Sequence, residues 1–434
     1  MQKYFARDAL LPAGWARDVR ISVEGGDIVA VEPGSSGGDA LHGAVLPGMA
    51  NLHSHAFQRG MAGMAEVRGQ SGNSADDDFW TWRELMYRFV ERVTPEQAQA
   101  IALHLYIEML KHGYTAVAEF NYLNSPEGML DAHLDAARAA GIAITALPSL
   151  YRWSGFGQQP LKPRQKRFDS DVRSIVDAFR SVPRTQDERA GVAPHSLRAV
   201  DPGALRELVA EAGDAPIHIH AAEQTKEVED CRRALGQRPV EWLLSSFAVD
   251  ERWCIVHATH MVDEETRGLA RSGAVAGLCP TTEGNLGDGI FPLLEYRAAG
   301  GRYGIGGDSH VSRDPAEELR LLEYVQRLTA RKRNLVVGKS PAVGTTLWLE
   351  AAAGGAQAMG RAMGAIAPGK RADLVVIDTE QRGDGAANEL IFSGTRGLVR
   401  DVMVGGEWVV RERRHGSEEA AAESYRRAVK ALVA

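Results

Sequence analysis

Two histidines separated by one residue, His53 and His55, close the apolar run in LPGMANLHSHAFQRG. In a β-strand, residues two apart share a face, so both imidazoles can grip a single ion. A pair is not yet a site, because zinc needs three or four converging ligands. The chain supplies more of the same residue types further on. His218 and His220 alternate in PIHIHAAEQ, with Glu223 three residues past the second histidine; His257 lies in CIVHATHM and Asp308 in GIGGDSH. Imidazole and carboxylate donors suit zinc, with iron or another transition metal as the alternative. A lone histidine at a strand end is usually satisfied by a backbone hydrogen bond. That bland reading weakens when the same types recur at several strand ends that one fold would make neighbours.

The elements that would position them are legible. Short β-rich runs alternate with helical stretches from about residue 44, the pattern of a parallel sheet wound with helices. Eight strand candidates follow in order: GAVLPGMANLHSH, TAVAEF, IAITALPSL, RAGVAPHS, PIHIHAAE, WCIVHATH, AVAGLCP and RYGIGGDS. Their span of about 250 residues fits an α/β fold, a (β/α)8 TIM barrel, whose active site lies at the carboxyl ends of its strands. Between strands, TPEQAQAIALHLYIEMLKHG reads as a helix capped by Thr94, with Pro95 in the first turn and Gly113 as its stop. Outside the barrel, DVRISVEGGDIVAVEP predicts two strands joined through Gly25 and Gly26, while RADLVVID and VRDVMVGGEWVV predict further short strands. Both chain ends are therefore expected to meet in one small discontinuous β-sandwich, residues 1–43 with 365–434, beside a catalytic barrel at 44–364. The insertion at 66–83, which takes in most of VRGQSGNSADDDFWTWRE, reads as a loop that covers substrate.

Composition sets limits on the partners. The 434 residues are 44% hydrophobic and 25% charged, ordinary for a soluble globular chain. A net charge of −7 argues against nucleic acid as a main partner, and no apolar run or leader points to a membrane. Three cysteines, Cys231, Cys254 and Cys279, cannot all pair and lack C-x-x-C spacing, which fits a cytoplasmic location. The glycine-rich GIGGDSH is not followed by GK[ST], so nucleotide binding there is rejected. The basic run RLTARKRNLVVGK reads as a solvated face or a dimer contact.

The ordered set HSH, HIHAAE, VHATH and GGDS, with LPGMANLH before it and PGKRADLVV after it, resembles the amidohydrolase superfamily, in its mononuclear-metal deaminase branch. The resemblance covers essentially the whole chain. It implies that His53, His55, His220 and Asp308 hold one divalent metal, Zn2+ before iron. Binuclear relatives use a carboxylated lysine on the fourth strand, and RAGVAPHSLR has no lysine. A bound Zn2+ lowers the pKa of its water toward ~7. Glu223 would take that water's proton and pass it to the leaving nitrogen, His257 would polarise the water, and Asp308 would share the shuttle. The plainer reading of Glu223 is a helix-start residue complementing the dipole. His218, His260 and His310 read as neighbours that orient or pack.

Longer stretches, NLHSHAFQRGMAG, FWTWRELMYRF, YTAVAEFNYL, GVAPHSLRAV and CPTTEGNLGDGIFP, are similar to the members of that branch that deiminate N-formimino-L-glutamate to N-formyl-L-glutamate and ammonia in histidine degradation. A dicarboxylate substrate calls for fixed cations and donors. Arg198 and Arg83 are the cations, Tyr122 and His195 the donors, and Gln58 the group that would meet the formimino or amide portion. Arg83 read blandly is a surface arginine stacked on Trp80 or Trp82. Two rivals remain: a nucleobase or nucleoside deaminase with the same metal chemistry, and a noncatalytic barrel scaffold. A homodimer is expected by analogy of fold alone.

Overall fold

The computed structural model describes residues 1–68, 77–394 and 397–433. Four strands open the chain: β1 (Gln2–Leu11), β2 (Gly14–Glu24), β3 (Asp27–Glu32) and β4 (Asp39–Pro47). Eight further segments build the barrel wall: β5 (Met49–Ser54), β6 (Tyr114–Asn121), β7 (Ala143–Leu150), β8 (Glu188–Ala190) with its continuation β9 (Ala193–Pro194), β10 (Ile217–Ala221), β11 (Trp253–His257), β12 (Val275–Leu278) and β13 (Arg302–Ile305). Pairing is parallel along β5-β6-β7-β8 and along β10-β11-β12-β13. Parallel bridges Val192↔Ile217 and Ser196↔His220 join one sheet to the other, and Ser54↔Asp308 closes the ring. This is the (β/α)8 barrel that the eight runs predict.

The closure depends on a missing side chain. A Cβ on Gly306 would lie 2.8 Å from both the Cβ and the carbonyl oxygen of His53, so only glycine lets the end of β13 come against β5. Inside the wall, Leu52, Cys254, Val256 and Val275 pack together from three strands. All three cysteines are buried and unpaired. The first expected strand differs in detail. GAVLPGMANLHSH splits at Gly48: its first part ends β4 in the outer sheet, and only Met49–Ser54 enters the barrel.

The chain ends meet as expected, and where a sandwich was expected their strands pair along one continuous seven-stranded sheet, ordered β16-β15-β14-β4-β1-β2-β3, where β14 is Leu374–Ile377, β15 Val399–Val404 and β16 Glu407–Val410. Its own core gathers Tyr4, Val19, Ile21, Val45, Leu374, Val376 and Met403. The last helix, Glu418–Val433, leaves that sheet for the barrel. Lys111 reaches Glu418 at 2.8 Å, and the Tyr425 hydroxyl donates to the Arg59 carbonyl at 3.2 Å.

Two helices matter for the site. α1 (Phe79–Val90) starts at Asp78, whose carboxylate accepts from the Trp80 and Thr81 amides. α2 (Pro95–Lys111) starts in the predicted manner, with the Thr94 hydroxyl capping Gln97 and Pro95 in the first turn. Much of the expected covering loop, residues 69–76, lies outside the described residues. Among those described, no helix is long and apolar enough to cross a membrane.

Candidate active site

His53 and His55 stand at the end of β5, His220 near the end of β10, His257 at the end of β11, and Asp308 just past β13. His257 and Asp308 both take positive φ, +67° and +48°, where the wall turns over into the mouth. Ligand atoms of His53, His55 and His220 lie within 4.8 Å of one another. The His53 and His220 Nε2 atoms are 3.0 Å apart, and Asp308 Oδ1 is 3.6 Å from His53 Nε2 and 3.5 Å from His55 Nε2. The four side chains converge as the sequence predicts.

Hydrogen bonds on the far side of each ring decide what faces the centre. His55 Nδ1 donates to the Phe120 carbonyl and His220 Nδ1 to the His195 carbonyl, both at 2.9 Å. Each ring therefore carries its proton on Nδ1 and presents a bare Nε2 inward, the tautomer a metal needs. Burial, reinforced by neighbouring imidazoles, holds His53 and His220 far below the usual histidine pKa; burial drops His55 to about 3. Neutral imidazoles and one carboxylate, all buried, are a donor set that fits a divalent cation. His53 Nδ1 has no partner among the described residues.

Beside this cluster, His257 Nε2 lies 3.5 Å from Glu223 Oε1 and 3.7 Å from Asp308 Oδ2, and its Nδ1 lies 3.3 Å from Glu283 Oε1. Burial alone would lower the His257 pKa, but the surrounding carboxylates, Glu223 first, overcome it and raise it to about 10. Burial and the nearby carboxylates raise Asp308 to about 7, against the pull of His257.

The substrate-side residues share one cavity, lined by Gln58, Arg83, Tyr122, His195, Arg198 and Glu223 together with His55, His220 and Asp308. Gln58 sits in the short turn Ala56–Met61 and donates to the Tyr122 hydroxyl at 2.7 Å; its Oε1 has no partner among the described residues. Arg83 projects from α1. It is buried rather than on the surface, its guanidinium 5.2 Å from the Trp80 ring centre and bonded to the Tyr87 hydroxyl. The stacking on Trp80 belongs to the bland reading, while the burial in the cavity is where a substrate-binding Arg83 is expected. Arg198 is also buried; its Nε and Nη1 have no hydrogen-bond partner among the described residues, and its nearest anion is Glu227 at 3.9 Å. His195 packs edge-on against Tyr151 at 4.7 Å and stays neutral through burial.

Neighbouring histidines take lesser parts, as their patterns suggest. His218 Nε2 bonds the Ala358 carbonyl at 2.8 Å, His260 Nε2 the Asp288 carbonyl at 2.7 Å, and His310 Nε2 the Ser54 hydroxyl at 2.8 Å. Sequence reasoning passed over Tyr87, Tyr151, Gln165, Glu227 and Glu283. Gln165 donates to both the Tyr151 and Tyr87 hydroxyls, at 3.0 and 3.2 Å, and so braces the Arg83 environment. Glu227 lies one helical turn past Glu223, and its carboxylate accepts from the Glu223 amide at 3.1 Å. That i,i+4 spacing was readable in HAAEQTKEVED, as was the strand-end position of Tyr151.

Known proteins resemble this chain along its whole length. Residues 44–409 match the family described as "Amidohydrolase family", and residues 1–43 match "Formimidoylglutamate deiminase HutF, N-terminal domain". A formimidoylglutamate deiminase of Pseudomonas aeruginosa is 50% identical over 98% of each chain. A 5-methylthioadenosine/S-adenosylhomocysteine deaminase of Natronomonas pharaonis is 31% identical, covering 91% of this chain and 89% of its own. The crystal structure of an amidohydrolase from Brucella melitensis superposes with a TM-score of 0.92 at 45% identity, over 100% of both chains. A zinc-bound adenosine deaminase from Xanthomonas campestris shares the fold, with a TM-score of 0.82 at 22% identity over 100% of this chain and 98% of its own. The chain belongs to the amidohydrolase family.

Proposed function

We propose that this chain hydrolyses the formimino group of N-formimino-L-glutamate, giving N-formyl-L-glutamate and ammonia. The observation that carries the reading is the Arg198 guanidinium, buried at the cavity with two unpartnered nitrogens. A buried cation without an anion within bonding distance is costly, and a substrate carboxylate would satisfy it with charge-assisted hydrogen bonds. Arg83 in the same cavity suits the second carboxylate. The 50% identity to a formimidoylglutamate deiminase supports the same substrate.

His53, His55, His220 and Asp308 would hold one divalent ion, which we take to be Zn2+ rather than iron. When bound, that ion supplies Lewis acidity and brings the pKa of a water toward ~7. The chain's residues do the rest. Arg198, with His195, and Arg83, with Tyr122, orient the dicarboxylate so that the formimino carbon faces the cluster. Gln58 offers its free Oε1 to the formimino N–H. Glu223 takes one proton of the attacking water as the oxygen bonds to the formimino carbon and returns it to the terminal nitrogen, whose double bond to carbon becomes single; the remaining hydroxyl proton then passes through Glu223 or Asp308 to the same nitrogen as its bond to carbon breaks and the C=O forms. Ammonia leaves, and the carbon is left as a formyl group. His257, held by Glu283, donates from Nε2 toward the developing oxygen, and Asp308 can share the proton. The same reading puts the chain in histidine degradation and in the cytoplasm, while a homodimer rests on analogy of fold alone.

Ammonia release is the test. Purified, metal-analysed protein is assayed on formiminoglutamate, cytosine, guanine and adenosine. Turnover on formiminoglutamate alone is the expected result. Activity on a base or nucleoside instead would replace the substrate, and no activity on any would favour a scaffold.

A further inference from the structure

We propose that Glu119 is a positioning residue that clasps the two metal-ligand segments through Ser54 and His310 and so sets the affinity for the ion. This rests on the metal reading above and adds a residue that touches neither ion nor substrate. Glu119 lies two residues before the end of β6, fully buried and outside the lining of the cavity. Its Oε1 accepts from the Ala56 amide at 2.9 Å; its Oε2 accepts from the Ser54 hydroxyl at 2.5 Å and from the Tyr106 hydroxyl at 3.0 Å. His133 Nε2 stands 3.6 Å from Oε1.

Those contacts bracket His55 on both sides. Ser54 precedes it and Ala56 follows it, so one carboxylate holds the backbone that aims the imidazole. The Ser54 proton is committed to Glu119. Ser54 Oγ must then accept from His310 Nε2, 2.8 Å away, which places the His310 proton on Nε2 and leaves Nδ1 bare. His310 Nδ1 indeed has no partner among the described residues. His310 lies two residues past Asp308, in the same positive-φ turn. The chain of bonds therefore runs from the Asp308 turn through Ser54 to Glu119, and on to Tyr106 on α2.

Backbone bonds alone also join the two segments, Asp308 to the His53 carbonyl and His55 to the Asp308 carbonyl, each at 3.0 Å. They fix the strand ends, and the turn beyond Asp308 is held further by Arg59, which donates to the His310 carbonyl at 2.6 Å, and by Thr282, whose hydroxyl accepts from the Ser309 amide at 3.3 Å. The clasp adds an anchor to the helical layer. A carboxylate suits this position because every hydrogen-bonding neighbour is a donor; an amide would turn an N–H toward at least one of them.

The test is zinc affinity, measured by chelator competition after removal and return of metal, in wild type, Glu119→Gln, Ser54→Ala and His55→Ala. Glu119→Gln and Ser54→Ala should each weaken binding by about 10- to 100-fold, with the far-UV circular dichroism of the metal-free protein unchanged. Excess zinc should restore kcat in both with KM unaltered, a rescue that a damaged fold would not show. Ser54→Ala is the milder change and decides the matter if Glu119→Gln does not fold. Affinity within twofold of wild type in Ser54→Ala overturns the clasp. Equal binding by wild type and His55→Ala overturns the metal site itself, which is a different failure.

Discussion

Arg198→Ala is the sharpest test of the pocket. The guanidinium is buried, and the nearest anion, Glu227 at 3.9 Å, lies beyond hydrogen-bond distance. Its bonding capacity is therefore available to substrate rather than spent within the fold. Removing one partner of a buried charge pair costs about 2–5 kcal/mol, and each ~1.4 kcal/mol is tenfold. kcat/KM on formiminoglutamate should fall by roughly 30- to 4,000-fold. Because Arg198 holds a part of the substrate remote from the formimino carbon, KM should carry much of the loss, with kcat falling to the extent that orientation is lost. A substrate cycle isolates the contact. Analogues in which one or the other carboxylate is an amide should be poor substrates for wild type, and one of the two should lose nothing further in Arg198→Ala. The assay is coupled ammonia release, with zinc content measured on the same samples. A loss below threefold at unchanged metal content, or equal losses on both analogues and the parent, would refute the assignment of Arg198 to a carboxylate.

Three other outcomes follow from the geometry. Glu223→Gln should keep its metal and lose about 10²- to 10⁴-fold in kcat; a fully active variant would remove the proton shuttle. Gly354 lies within the helix Val343–Ala358, where alanine is normally about 1 kcal/mol better than glycine. Here an added Cβ would sit 1.9 Å from the Tyr303 carbonyl oxygen, so Gly354→Ala should lower Tm, and a rise would show that the helix can retreat from β13. Asp288 accepts from the Gln224 amide, and its carboxyl is raised to about 9 by burial first and by Glu223 and other carboxylates next. A raised folded value means that the protonated native form is favoured: the stability is present below the ordinary carboxylate pKa of ~3.9 and lost as pH rises through about 9. Tm of Asp288→Asn relative to wild type should therefore climb between pH 5 and pH 8.5, and parallel curves would show that Asp288 is not held neutral.

The alternation of His53 with His55, the strand-end positions of His220, His257 and Asp308, and the eight β-rich runs are local patterns. Period-2 spacing and turn residues decide them, so the barrel and the gathering of these side chains at one mouth were legible without coordinates. So were the cap at Thr94 and the turn at Gly25–Gly26, which depend on neighbours in sequence. The split of the first run at Gly48 was missed although Pro47–Gly48 is a turn dipeptide, because the two halves run on in one stretch and only pairing with β14 or β6 assigns them to different sheets. Arg83 has the composition of a surface residue; its burial arises because α1 folds its aromatic face over the mouth. Tertiary structure alone decided which atoms face inward. The protons on His55 and His220 are placed by the carbonyls of Phe120 and His195, residues 65 and 25 positions away. Glu119 likewise gains its role from residues that the barrel brings to it. Residue type and spacing name the groups that can do chemistry, while their tautomers, partners and degree of burial depend on contacts between strands, which local sequence does not encode.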